Sequence, residues 1–142
     1  MGALTIRDNP VAHRLYPIQR EEDVGALRRA VRDTAKQLPG LAEGAAELVA
    51  TELAANIVHH TPGGYVLMRP AGNGIELIAV DRGRGLPEPA LTWLTSPDTS
   101  DGGRPESTRP GGLGVGLAGV RRRAELFDCY SNGRGTVILV RL

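Results

Sequence analysis

Two helix-length stretches of apolar periodicity, set back to back across one breaker, restrict this chain more than any other pattern it carries. Val24, Leu27, Val31, Ala35 and Leu38 recur at helical spacing from Glu21 to Leu38, and Leu48, Val49, Leu53, Ile57 and Val58 do so from Glu43 to His60. Pro39-Gly40 stops the first helix and Pro62-Gly63-Gly64 ends the second. Proline lacks the donor a helix interior needs, and glycine loses the most backbone freedom there. Beyond residue 64 the apolar runs are strand-sized. Tyr65 to Arg69 and Ile75 to Val80 read as a hairpin around Ala71-Gly72-Asn73-Gly74, and Phe127 to Ser131 and Thr136 to Leu142 as another around Asn132-Gly133-Arg134-Gly135. His13 to Ile18 reads as a short strand whose Pro17 suits a sheet edge. Gly112 to Leu126 reads as a helix entered through glycines, after a stretch from about Thr95 rich in Gly, Pro, Ser, Thr and Asp. A loop of that length inside a domain is a lid or a disordered segment. The expected class is α+β: a two-layer sandwich with helices on one face of a mostly antiparallel mixed sheet.

Composition narrows the function. At 142 residues, 41% hydrophobic and 23% charged, the chain fits one globular domain over 1–142, with 1–12 as a loose arm. A net charge of +1 argues against a nucleic-acid partner, which demands a large basic excess. The cluster Arg121-Arg122-Arg123 sits in a helical pattern and reads as a solvated face. Cys129 is the only cysteine, which excludes an intrachain disulfide and a thiolate zinc site. It reads as a small core or edge residue, with a reactive thiol as the alternative. No apolar run reaches the ~18 residues that span a bilayer, and Met1 to Gln19 shows no signal pattern. A cytoplasmic protein with no membrane partner is expected.

Four segments can carry chemistry. Glu52 and Asn56 lie four residues apart, so their side chains stack on one face of the second helix. The amide oxygen is a hard ligand suited to Mg2+, and a carboxylate free of the metal can take a proton from an attacking hydroxyl. Read alone, the pair reads first as a solvent-facing glutamate beside an incidental asparagine. Asp81-Arg82-Gly83-Arg84-Gly85 follows a strand; the carboxylate can accept from an exocyclic amine, and glycines leave room for a flat ring. Gly111-Gly112-Leu113-Gly114-Val115-Gly116 leads into a helix, where backbone N–H groups and the helix dipole favour an anion. It matches neither the P-loop nor the dinucleotide fingerprint, and a hinge loop is the alternative. Thr136, opening the last strand after Gly133-Arg134-Gly135, can reach a base beside Asp81 if the two strands are neighbours.

In this order the four segments resemble the GHKL superfamily, which groups gyrase, histidine kinases, mismatch-repair ATPases and anti-sigma protein kinases on the Bergerat ATP-binding fold. The likeness spans about residues 13–142. It is strongest to the anti-sigma serine/threonine kinases, in particular the RsbT-type switch kinases, through Glu-Leu-Ala-Ala-Asn-Ile at 52–57, Gly-Gly-Leu-Gly-Val-Gly-Leu-Ala-Gly-Val at 111–120 and Glu-Leu-Phe-Asp at 125–128. The resemblance implies ATP and Mg2+ as cofactors, with Glu52 as general base and Asn56 as metal ligand. It places Asp81 on the adenine amine with Gly83 and Gly85 shaping that pocket, and Thr136 near the base. The backbone of Gly112, Leu113, Gly114, Val115 and Gly116 would cradle the phosphates, with His59 near them and 95–111 as the ATP lid.

The activity so implied is a serine/threonine protein kinase that phosphorylates a STAS-domain anti-sigma antagonist or scaffold in a bacterial stress-signalling partner switch. A metal-dependent serine phosphatase or a sigma factor is a further implied partner. The alternative is a non-catalytic ATP-binding module of the same fold that regulates an anti-sigma pathway or a phosphatase. Two departures stand out: Arg84 occupies a position where proline is common in these kinases, and Gly102-Gly103-Arg104-Pro105 lengthens the lid.

Overall fold

The computed structural model describes residues 12–96 and 115–142. In chain order these form β1 (Arg14–Ile18), α1 (Glu21–Ala35), α2 (Glu43–His60), β2 (Gly64–Ala71), β3 (Gly74–Asp81), α3 (Glu88–Thr95), α4 (Val115–Arg123), β4 (Leu126–Asn132) and β5 (Gly135–Arg141). The expected loose arm falls outside the described residues except for Ala12. Of the expected lid, only Thr95 and Ser96 are described, and they end α3.

Local chemistry sets the helix ends. Asp23 reaches back to accept the backbone N–H groups of Gln19 (2.8 Å) and Arg20 (2.9 Å), satisfying donors at the entry of α1. Those bonds hold the Asp23 carboxyl below its ordinary range. Val24, Leu27, Val31 and Ala35 are all buried, as their spacing predicts. The helix stops at Ala35 and not at Leu38, because Gln37 and Leu38 donate to Thr34 and Ala35, tightening the last turn before Pro39. Helix α2 runs over the span its periodicity predicts. Its Ala46, Ala50 and Ala54 are fully buried beside Val49, Leu53 and Ile57. Small side chains at every fourth position let α2 lie close to its neighbours, and it packs against both α1 and α4.

The sheet has the order β1-β2-β3-β5-β4, and every pairing among its strands is antiparallel, where the sequence allowed a mixed sheet. Alternation gives it two faces. Ile18, Val66, Met68, Leu77, Ala79, Ile138 and Val140 join the buried core with the helices. One row of partners, Ile18–Gly64–Asp81–Thr136–Ser131, crosses all five strands on that side.

On the opposite face Glu76 is 4% exposed. Arg69 donates to it (2.9 Å), as does Arg141 (3.1 Å), and His13 stands at 2.7 Å. Burial pushes the Glu76 carboxyl up, but Arg69, His13 and Arg141 outweigh it and hold the group below its ordinary value.

Two further features differ from the sequence reading. Helix α3 was not foreseen; its Ala90, Trp93 and Leu94 are buried at helical spacing, and it is entered through Pro87 and Pro89. Arg121 is not part of a solvated face. It lies 5.8 Å from the Trp93 ring and donates to the carbonyls of Trp93 (2.5 Å) and Ser96, fastening α4 to the end of α3. Among the described residues no helix is long and apolar enough to cross a membrane.

Candidate functional site

Helix α2 supplies the acid and the amide. With its other sides packed on α1 and α4, Glu52 and Asn56 are polar interruptions that remain half-buried. Each lines a separate depression along the helix. Glu52 shares one of about 180 Å3 with Leu48, Val49, Gly116, Gly119, Val120 and Arg123. Asn56 shares a smaller one with His60, Thr61, Asp81, Arg84, Gly85, Leu86 and Thr136. The two residues stack one turn apart, so α2 is a common wall.

At the Glu52 end the absence of a side chain decides the geometry. A Cβ on Gly116 would overlap Glu52 Oε2, so only glycine lets α4 begin against the carboxylate. Gly112, Leu113 and Gly114 lie outside the described residues, as does the side chain of Val115. Of the glycine-rich segment, Gly116 is the member brought to the acid.

At the Asn56 end the sheet delivers Asp81 and Thr136 together, since they are register partners on β3 and β5. They are 8% and 4% exposed. Asp81 Oδ1 accepts the N–H of Gly83 at 2.8 Å. Burial pushes the Asp81 carboxyl above its ordinary value, opposed by the N–H groups of Gly83 and Thr136. Gly83 fits tightly: a Cβ there would stand 2.8 Å from Thr61 Cγ2. Gly85 has φ +86°, a conformation glycine accepts without strain, and a Cβ would strike the carbonyl of Asn132. Both glycines therefore stand where a side chain would collide, Gly83 against Thr61 beside Asp81 and Gly85 against β4.

Two placements depart from the sequence reading. His59 lines neither depression; it is exposed and lies 2.5 Å from Glu21 Oε1, on the flank facing α1. His60, one residue on, is the histidine at the Asn56 depression. Ser131 was overlooked. Its hydroxyl accepts the Leu86 N–H (2.7 Å) and shares a hydrogen bond with Thr136 Oγ1 (2.8 Å), tying the Gly83–Gly85 turn to β5. The signal was present: a two-residue turn at Gly133-Arg134 puts Ser131 opposite Thr136.

The donor set suits a nucleotide and one hard cation. The Asn56 side-chain oxygen is the ligand type that Mg2+ takes while keeping several waters. Asp81, with Gly83 and Thr136 donating to it, retains acceptor capacity toward an amine. Gly116, in the first turn of α4, has only backbone beside the Glu52 carboxylate, and a helix N-terminus favours an anion. A broad trough of about 1230 Å3 at the other end of the molecule, lined by the β2–β3 turn, Pro39, Gly40 and Leu142, touches none of these groups.

An acid and an amide on one helix, a buried aspartate closing a strand beside a glycine turn, and a glycine in the first turn of α4 against the acid stand on the helix side of the sheet, in an α+β fold of the GHKL ATPase kind. The chain belongs to the family of histidine kinase-, DNA gyrase B- and HSP90-like ATPases, whose sequence profile matches residues 42–142. It is also similar to the serine/threonine-protein kinase RsbT of Bacillus subtilis (strain 168), at 33% identity over 128 residues, covering 85% of this chain and 89% of the relative.

Proposed function

We propose that the chain is a serine/threonine protein kinase that uses Mg-ATP to phosphorylate a STAS-domain partner, in the manner of a partner-switch kinase. The observation that carries this reading is the seat of Glu52 against Gly116 at the opening of α4. A carboxylate with no hydrogen-bond or ion-pair partner among the described residues, at the first turn of a helix, makes sense where a proton must leave a hydroxyl beside bound phosphates. Similarity to RsbT over most of the chain supports the same class.

In this reading Asp81 accepts from the adenine amine, while Thr136, held by Ser131, meets the base edge. Gly83 and Gly85 keep that pocket open. Asn56 holds Mg2+, which supplies charge neutralisation to the triphosphate when bound. The backbone at Gly116 donates to phosphate oxygens. Glu52 takes the proton of the incoming serine or threonine hydroxyl. That oxygen forms the new bond to the γ-phosphorus, the bond to the β–γ bridging oxygen breaks, and ADP leaves. General-base assistance of this kind is worth about 10²–10⁴-fold.

The test is phosphate transfer from labelled ATP to a purified STAS-domain partner, run beside nucleotide titration. Glu52→Ala should lose at least about 100-fold in transfer and keep its ATP affinity within a few-fold. Undiminished transfer by that variant removes Glu52 from the role of base. ATP binding by the wild type with no transfer to any STAS partner would instead make the protein a nucleotide-responsive binding module.

A further inference from the structure

Glu52 shares its depression with a cation. Arg123, the last residue of α4, lines the same space of about 180 Å3 as Glu52, Leu48, Gly116 and Gly119. The sequence groups it with Arg121 and Arg122 on a charged face, but its side chain does not run straight out into water. Nη1 of Arg123 donates to the carbonyl of Gly119 at 3.1 Å, so the head folds back one turn toward the start of the helix. Gly119 leaves room for this: a Cβ there would stand 3.3 Å from that nitrogen. Gly116, Gly119 and Arg123 thus form one stripe of α4 at helical spacing, running from the Glu52 carboxylate toward the guanidinium.

Opposite charges line one small space, yet no ion pair joins Glu52 to Arg123. No other acid among the described residues pairs with Arg123 either. A guanidinium carries five N–H donors, and the Gly119 carbonyl takes one of them. The others are open to an acceptor from outside the chain. The facing wall is Leu48 on α2, one turn before Glu52 and 38% exposed.

We infer that this end of the depression reads the protein substrate, with Arg123 taking an acidic side chain that lies close in sequence to the phospho-acceptor hydroxyl. The inference rests on the kinase reading, in which Glu52 meets that hydroxyl. Spacing supports this occupant. Along α4 Gly119 lies ~4.5 Å and Arg123 ~10.5 Å from Gly116. An extended segment advances about 3.3 Å per residue, so a carboxylate roughly two or three positions from the hydroxyl reaches the guanidinium.

Size supports it as well. The depression holds roughly six waters at ~30 Å3 each, which is room for a side chain or two and not for a second nucleotide. Charge then selects among side chains. A carboxylate matches the planar fork of the guanidinium, and the apolar Leu48 wall keeps part of the contact dry. A basic side chain at the same place would be repelled.

Steady-state phosphate transfer from labelled ATP to a purified STAS-domain partner tests this, with nucleotide titration beside it. Arg123→Glu should raise KM for the partner at least about tenfold while kcat and ATP affinity stay within about threefold, the pattern of a contact made equally before and during transfer. Arg123→Lys keeps the charge and should recover most of that loss. Replacing the partner's acidic residues beside its phospho-acceptor with lysine should raise KM for the wild type and lower it for Arg123→Glu. Transfer that depends on Glu52 while KM ignores Arg123→Glu overturns this inference alone. Loss of ATP affinity in Arg123→Glu would put the guanidinium on the nucleotide and overturns it too. A wild type that transfers phosphate to no STAS partner overturns it together with the kinase reading.

Discussion

The carboxylate of Glu52 stands over the Cα of Gly116, so the general-base candidate and the start of α4 occupy adjoining space that a single methyl group would fill. Gly116→Ala is therefore informative. Alanine favours a helix interior by about 1 kcal/mol over glycine, so thermal stability should hold or fall only slightly. Displacement of the acid should still lower phosphate transfer by at least about tenfold, which is 1.4 kcal/mol of lost transition-state stabilisation. Full activity with unchanged melting would mean that the carboxylate need not sit where the structure puts it.

In the proposed site Asp81 should make nucleotide affinity pH-dependent. Burial raises its pKa above the ordinary 3.8, against the N–H groups of Gly83 and Thr136. The ionised form accepts from an amine more strongly than the protonated acid, so ATP affinity should weaken on acidification with a midpoint above 3.8. Stability runs the other way. A carboxyl with a raised folded-state pKa holds more protons folded than unfolded, so its contribution falls as pH rises through that window. Calorimetric titration at several pH values, repeated on Asp81→Asn, checks both. The variant should bind weakly and lose the acid-side decline.

Ser131 joins the turn after Gly85 to Thr136 of β5 through one hydroxyl. Ser131→Ala leaves the Leu86 N–H and the Thr136 hydroxyl short of a partner, which costs about 1–2 kcal/mol in a partly buried setting. Urea unfolding should show that loss. ATP titration should show a few-fold weaker affinity, with Ser131→Thr recovering most of it. An alanine variant with wild-type affinity would make Ser131 a strand residue and no more.

Cys129 should be inert. It is 6% exposed, and burial, with the charges of Asp128 and Asp81, pushes its thiol up to about 11. Little thiolate exists near neutrality, so a disulfide reagent at pH 8 should react only after denaturant is added. Rapid modification of the native protein would contradict the packing of β4 on the helices.

Much of this architecture is legible in the chain because its punctuation is strong. Pro39-Gly40 and Pro62-Gly63 bound α2 so firmly that Glu52 and Asn56 fall on one face with no freedom of register. The paired turns fix the hairpins, which bring Asp81 beside Thr136. Helix α3 escaped because eight residues hold little more than one apolar repeat, and its prolines look like loop residues. His59 pairs with Glu21 on α1, a partner that helical spacing alone does not report, while His60, about 100° round the helix, lines the Asn56 depression. Arg121 looked like part of a charged face because its partners, the Trp93 and Ser96 carbonyls, belong to the unforeseen helix. Nothing in a pattern of apolar spacing reports such long-range acceptors.

A thermal-shift series with ATP, ADP and GTP, each with and without magnesium, on the wild type and Asn56→Ala bears most directly on the site as a whole. The wild type should be stabilised by ATP and ADP well above GTP, with magnesium strengthening the ATP response at least tenfold in apparent affinity. Asn56→Ala should lose that magnesium increment and keep the preference for adenine. Equal shifts with ATP and GTP, no nucleotide response in the wild type, or an undiminished magnesium effect in Asn56→Ala would contradict the proposal that α2, β3 and β5 together hold Mg-ATP.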